Sequence, residues 1–298
     1  MTETSDTSDY PPIITILVPL DDSPEAKSAL PYAMALATPG TELRLLTVVR
    51  NQRASESARA ALESAAERAR VAGHTVRTET AVGDPGDQIL ATAANSGAGL
   101  IVMASHGRGA VGRLIHGSVA DRVSREALVP TMIVRAGIAA PGPVGITRLV
   151  VPLDGSSLAE QSLPFAAAIS RRLGTPLFLV RAVSYVASMP PAVGMGEAIP
   201  FELYEEAERE QEREAETYLN DVAERLRGQG LPVATELLTG AAATAIEDAT
   251  QLGDVVVLCS HERTRVKRWL LGSVAETLTR EDQSPVILVP ASEAASET

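Results

Sequence analysis

The chain has 298 residues, of which 45% are hydrophobic and only 3% aromatic, and its formal net charge is −12. The length suits two domains of ~100–200 residues, and cores so poor in aromatics must be built from Val, Ile, Leu and Ala, the palette of buried parallel strands under Ala-rich helices. The acidic balance excludes a broad nucleic-acid surface, which needs clustered Lys and Arg. The single cysteine, Cys259, excludes a disulfide framework within the chain.

In chain order, the first ten residues are polar and acidic, without the basic and apolar segments of a secretory leader. No apolar run approaches the ~20 residues that span a bilayer. A soluble, cytoplasmic protein is expected. Residues 13–20 are an apolar run closed by Asp21 and read as a buried strand. Ser23 can cap a helix running to residue 37, with Pro31 inside it. A mid-helix proline costs ~3 kcal/mol, so this helix is either kinked or begins later than the serine. Residues 43–49 read as a second strand, 54–72 as an amphipathic helix and 75–82 as a third strand. A short helix over 87–94, a wholly apolar strand over 100–104, a helix over 117–127 and a fifth strand over 131–135 follow. Strands alternating with helices imply an α/β fold with a parallel sheet.

The pattern then repeats. Ile16-Leu17-Val18-Pro19-Leu20-Asp21 returns as Leu149-Val150-Val151-Pro152-Leu153-Asp154, 133 positions on, each followed by a serine, Ser23 or Ser156. Gly117-Ser118-Val119-Ala120 returns as Gly272-Ser273-Val274-Ala275, 155 positions on. Pro164 repeats Pro31. The excess of 22 residues falls at 184–204, where Met189-Pro190-Pro191 and Gly194-Met195-Gly196 read as a loop and a candidate lid. Residues 137–147 read as a linker. The chain is a duplicated domain, divided as 1–140 and 146–298, with strands of copy two near 148–153, 176–183, 232–238, 254–259 and 285–289.

Ligands of open α/β sheets bind beyond the carboxyl ends of strands. Two such loops carry unusual residues in both copies. Asp21 and Asp154 follow strand one, where a carboxylate either shapes the turn or accepts from a ribose or base. Ser105-His106 and Ser260-His261 follow strand four and lead to Gly117-Ser118 and Gly272-Ser273. A glycine and a serine at a helix start suit a phosphate. Ser118 with Asp121, and Ser273 with Glu276, equally have the spacing of a capping box. Gly107, Gly109 and Gly112 spell a dinucleotide fingerprint, but after the wrong strand and against Glu262, Thr264 and Lys267 in copy two, so a dinucleotide fold is rejected. There is no P-loop. Arg263, Arg265, Lys267 and Arg268 in copy two, and Arg108 and Arg113 in copy one, suit either an anion site or a solvated loop. No histidine pair among His74, His106, His116 and His261 has zinc-site spacing. Cys259 reads as a small buried residue. No nucleophile, base and acid recur together, so an enzyme is not expected.

Together these residues resemble the universal stress protein family over nearly the whole chain, twice. ATP-binding members carry an Asp after strand one and G-x-x-G-x9-G-[ST] after strand four. Copy one reads Ala104-Ser105-His106-Gly107, nine residues, then Gly117-Ser118. Copy two reads Cys259-Ser260-His261-Glu262, nine residues, then Gly272-Ser273. The resemblance implies, in each copy, a Rossmann-like sheet of the adenine nucleotide alpha hydrolase-like type, five parallel strands in the order 3-2-1-4-5 with helices on both faces. It implies ATP, with or without magnesium, as the ligand. Pro19 and Asp21 would hold the ribose or adenine side and the Val48 backbone would frame adenine. Met103, Ala104, His106 and Gly107 would line ribose and phosphates, and Gly117, Ser118 and Val119 would bind phosphates. Pro152, Asp154, Gly272, Ser273 and Val274 are the counterparts in copy two, where Glu262 would weaken binding. The family's use of strand five as a pairing edge implies a homodimer through that edge, or pairing of the two copies. The same resemblance leaves open a scaffold for a protein partner that the sequence does not name, and a slow ATPase.

Overall fold

The computed structural model describes residues 10–21, 23, 26–51, 55–105, 117–135, 145–184, 201–260, 263–264, 268–269, 272–281 and 284–291. In copy one the strands are β1 (Thr15–Pro19), β2 (Glu42–Val49), β3 (Thr75–Val82), β4 (Leu100–Ala104) and β5 (Thr131–Val134). In copy two they are β6 (Arg148–Pro152), β7 (Leu177–Val183), β8 (Val233–Thr239), β9 (Asp254–Ser260) and β12 (Val286–Pro290). β10 (Arg263–Thr264) and β11 (Arg268–Trp269) form a separate two-stranded antiparallel ladder.

The ten main strands make one sheet, in the order β3-β2-β1-β4-β5-β12-β9-β6-β7-β8. Each half is parallel and has the order 3-2-1-4-5. The halves meet where β5 and β12 pair antiparallel, with Val286 opposite Ile133 and Leu288 opposite Thr131. Of the two pairings expected of strand five, the chain has the one between its copies and not a homodimer through that edge. Both strand-five edges are paired with each other inside one chain, so neither is open to a second chain.

The apolar runs become central strands because both faces of the sheet are covered. Ile16 and Val18 of β1 turn to one side and Leu17 to the other, and Met132 and Ile133 of β5 divide in the same way. One face carries α1 (Ala29–Leu36), α2 (Ser55–Val71), α6 (Leu163–Leu173) and α7 (Phe201–Gly228). The other carries α3 (Pro85–Ser96), α4 (Ser118–Glu126), α8 (Ala242–Ala249) and α9 (Ser273–Glu281). On each face the buried apolar residues of the two copies form one continuous cluster. Further contacts cross between copies. Tyr10 meets Phe165 edge to face at 5.0 Å, and Arg172 donates to the Ile13 carbonyl at 2.8 Å and to the Thr41 hydroxyl.

Both prolines fall in a first helical turn and not in a helix interior. The Ser23 hydroxyl accepts from the Ala26 amide at 3.0 Å and caps a 3-10 turn, Ala26–Ser28; α1 begins only at Ala29. In copy two Ser156 caps the one-turn α5 (Ser157–Glu160), and α6 restarts with Pro164 near its first position. The helix therefore begins later than the serine, where proline's missing N–H costs nothing. α3 starts two residues earlier than its apolar pattern indicated, because Asp84 caps it through the Asp87 amide and Pro85 opens it.

α7 has 28 residues against 17 in α2 and begins at Phe201, so the last residues of the presumed 184–204 loop are helical. Residues 185–200, the core of the presumed lid, lie outside the described residues. At the lower edge of copy two, Gly253 has φ +95, and a Cβ there would sit 2.9 Å from the Thr147 side chain. Gly253→Ala is expected to cost about 1–3 kcal/mol, measured as a lower urea midpoint at unchanged slope.

Candidate functional site

The two marked loops lie side by side. β1 and β4 are neighbours in the parallel sheet, with Leu17 opposite Ile101, so the loops that follow them, at Asp21 and at Ser105, leave adjacent strands at the same end of the sheet. Pro19 is half-buried at the end of β1, and Leu20 keeps the strand against β2 through its amide to the Leu46 carbonyl, 2.8 Å. The Asp21 carboxylate closes the turn: Oδ1 accepts from the Ser23 amide at 3.1 Å and from the Ser23 hydroxyl at 2.6 Å. Asp154 does the same with Ser156, at 2.9 and 2.6 Å. The turn-shaping reading of the two aspartates is therefore a structural fact in both copies.

Met103 and Ala104 are buried at the end of β4, and Val48 is half-buried in β2 against the α3 and α4 face. The Gly117 amide donates to the Ser105 carbonyl at 2.8 Å. That bond brings the start of α4 back to the end of β4. Gly117 is the N-cap residue, with φ −56 and ψ 136 and no side-chain cap bond. Ser118 is the first helical residue and exposed, and Val119 is half-buried. The capping-box reading of Ser118 thus gives way: the serine is one position inside the cap, and Asp121 pairs with Arg125 at 2.9 Å instead of reaching back. In copy two α9 opens in a similar way after Gly272. Glu276 donates its amide to the Gly272 carbonyl at 2.8 Å and pairs with Arg280 at 2.7 Å, with Ser273 exposed and Val274 half-buried.

The first amides of an α-helix have no partner in the helix and lie at the positive end of its dipole. Because Gly117's own N–H is taken by Ser105, the donors that α4 can offer an anion are those of its first turn and the Ser118 hydroxyl. His106 and Gly107 in copy one, and His261 and Glu262 in copy two, lie outside the described residues, as do Arg108, Arg113, Arg265 and Lys267. Sequence reasoning missed the ladder of β10 and β11 inside the strand-four loop of copy two. Its second strand approaches α4 of copy one. Runs of two residues leave no periodicity to detect.

Three electrostatic features bear on chemistry. Partial withdrawal from water works to raise the pKa of Asp154, but the Ser156 hydroxyl and amide and the Arg181 charge outweigh it and hold the carboxyl below its usual range. A depressed carboxyl contributes stability above its unfolded-state value of ~3.9, and that contribution is lost as pH falls through the folded value. Asp154→Asn is therefore expected to flatten the fall in stability on the acid side, with melting curves between pH 7 and pH 3 as the check. Burial pushes the half-buried Cys259 thiol up to about 12, the opposite of a reactive thiolate. Among the described residues no group of three or more His, Cys, Asp or Glu side chains could hold a metal ion.

The pattern of the universal stress protein family matches residues 13–135 and again 145–290. The chain belongs to the universal stress protein family. A universal stress protein of Methanocaldococcus jannaschii is 28% identical over 144 residues, 48% of this chain and 81% of that protein. One from Mycobacterium tuberculosis is 27% identical over 194 residues, 63% of this chain and 61% of its own length. The crystal structure of a universal stress protein from Archaeoglobus fulgidus superposes with a TM-score of 0.68 at 20% identity, over 93% of this chain and 98% of that one, and so shares the fold. The tandem arrangement, the sheet order and the family thus agree. No helix among the described residues is long and apolar enough to cross a membrane.

Proposed function

We propose that this universal stress protein is a cytoplasmic ATP-binding regulatory protein, with the nucleotide bound in copy one as a conformational ligand and not as a substrate. The observation that carries the reading is the closure of the strand-four loop. The bond from Gly117 N–H to the Ser105 carbonyl holds the start of α4 at the end of β4, the strand next to the one that ends in the Asp21 turn, which supports a shared site. Phosphates would meet the first-turn amides of α4 and the exposed Ser118 hydroxyl, with no side chain at Gly117 to keep them off. Ribose or base would lie over the β1 turn and the end of β2, by Pro19, Asp21 and Val48. Magnesium would arrive on the phosphates, since the described residues offer it no carboxylate cage.

A bound ligand stabilises a fold in proportion to RT ln(1 + [L]/Kd), about 2.7 kcal/mol at a hundredfold excess over Kd. ATP is therefore expected to raise the melting temperature. The experiment is a thermal melt of the chain with and without ATP, paired with a radiolabelled hydrolysis assay. A rise with ATP and no turnover above background supports the reading. Turnover that Gly117→Asp abolishes would make the protein an ATPase instead.

A further inference from the structure

The cleft beside the strand-one turn is built from the same elements in both copies but filled differently. Pro19 is paired with Leu46 and Pro152 with Val180, so the next residues, Thr47 and Arg181, are equivalent. The buried seams of α2 and α7 match as Leu62, Ala65, Ala66 and Ala69 against Leu219, Val222, Ala223 and Leu226. Ala61 and Tyr218, one residue earlier, are therefore equivalent too. Lys27 and Glu160 form the third pair, each one residue beyond the amide that Ser23 or Ser156 caps.

In copy one Leu20, Lys27, Thr47 and Ala61 line a small unfilled cavity of about 10 Å³ under the turn. In copy two the chain supplies its own occupants. The Arg181 guanidinium lies 5.2 Å from the centre of the Tyr218 ring. It also reaches the turn itself, where a Cβ on Gly155 would come within 3.2 Å of its Nη1. Gly155 has φ +90, a conformation that suits glycine and leaves this face of the turn bare for the guanidinium. Tyr218 is fixed in turn, donating its hydroxyl to Glu160 at 3.0 Å, and Arg225 holds the other Glu160 oxygen at 2.6 Å. No side chain the size of threonine could make this reach from Thr47.

We propose that Arg181, held by Tyr218, is an internal ligand of copy two: it reaches the Asp154–Gly155 turn from β7 and occupies the face that Gly155 leaves bare, where it would compete with a ribose or base for Asp154, and so limits the chain to one nucleotide. The inference rests on the reading of the strand-one turns as nucleotide sites. It assigns the refusal of copy two to its own strand and helix and not to Glu262. Arg181 stands on the β7 side of the turn, away from α9, so its charge does not substitute for the phosphate donors at Ser273.

The test is ATP stoichiometry by titration calorimetry on the full chain as wild type, E262G and E262G/R181T/Y218A. The proposal expects E262G to bind no more ATP than the wild type, and the triple variant to bind one more per chain. A second equivalent in the wild type or in E262G alone would overturn it, and so would a triple variant that gains nothing. If Y218A prevents folding, E262G/R181T carries the same test with the α7 packing intact. The wild-type count judges the copy-one reading separately: a wild type that binds none, with a triple variant that binds one, would sink the proposed function and leave the inference standing.

Discussion

Replacing Asp254 by alanine is expected to destabilise the protein by about 3–5 kcal/mol, the range for breaking a buried ion pair from one side. Asp254 opens β9 and is 1% exposed. Its carboxylate accepts from Arg148 through Nε at 3.1 Å and Nη2 at 2.5 Å, from the Thr147 hydroxyl at 3.1 Å and from the Gln251 amide at 2.9 Å. Arg148 is itself held over the Phe178 ring at 4.3 Å and against the Ala249 carbonyl at 3.0 Å, so it cannot swing out to water without losing those contacts. Alanine would strand the guanidinium and two neighbouring donors, the Thr147 hydroxyl and the Gln251 amide, at once. Because the apolar clusters on both faces run through both copies, the loss should lower one shared unfolding transition. Chemical denaturation followed by both far-ultraviolet dichroism and tyrosine fluorescence checks this. Two separated transitions would show that the copies fold independently.

Gly117→Asp is expected to abolish ATP binding while leaving the fold as stable or slightly more so. At φ −56 and ψ 136 the position accepts any L-residue, and Asp is a better N-cap than Gly by a few tenths of a kcal/mol. The same carboxylate would face the phosphates. Two unit charges ~4 Å apart at an effective dielectric near 20 interact by about 4 kcal/mol, enough for a loss of a hundredfold or more. A structural role for Gly117 alone predicts the reverse pairing, with stability moving and binding following it. Melting temperature without ligand and affinity by calorimetry separate the two.

The five-strand rhythm of each copy was legible because these strands are central and buried on both faces. Runs such as Leu100–Ala104 then need no alternation to be recognised, and the repeat supplied an internal check. The start of α4 at Gly117-Ser118 was legible for the same reason. What the pattern did not reveal is set by contacts distant in sequence. Pairing of β5 with β12 brings together strands that share no local signal, so the residues alone left open whether strand five would meet a second chain or the other copy, and only the fold decides for the other copy. The serine at 118 matched a capping box in spacing, yet the backbone bond from Gly117 to Ser105 set the cap one residue earlier. The replacement of Thr47 by Arg181 looks unremarkable in sequence, since strand ends tolerate both. Only the neighbouring Tyr218 and the bare Gly155 give it a role.

The central claim is that the Asp21 turn and the start of α4 together hold a nucleotide. Titration of the nucleotide-free chain with ATP tests it most directly. Binding of one equivalent per chain, lost in Gly117→Asp, is the predicted result. No heat of binding, together with no nucleotide released when the purified protein is denatured and assayed by mass spectrometry, would contradict it.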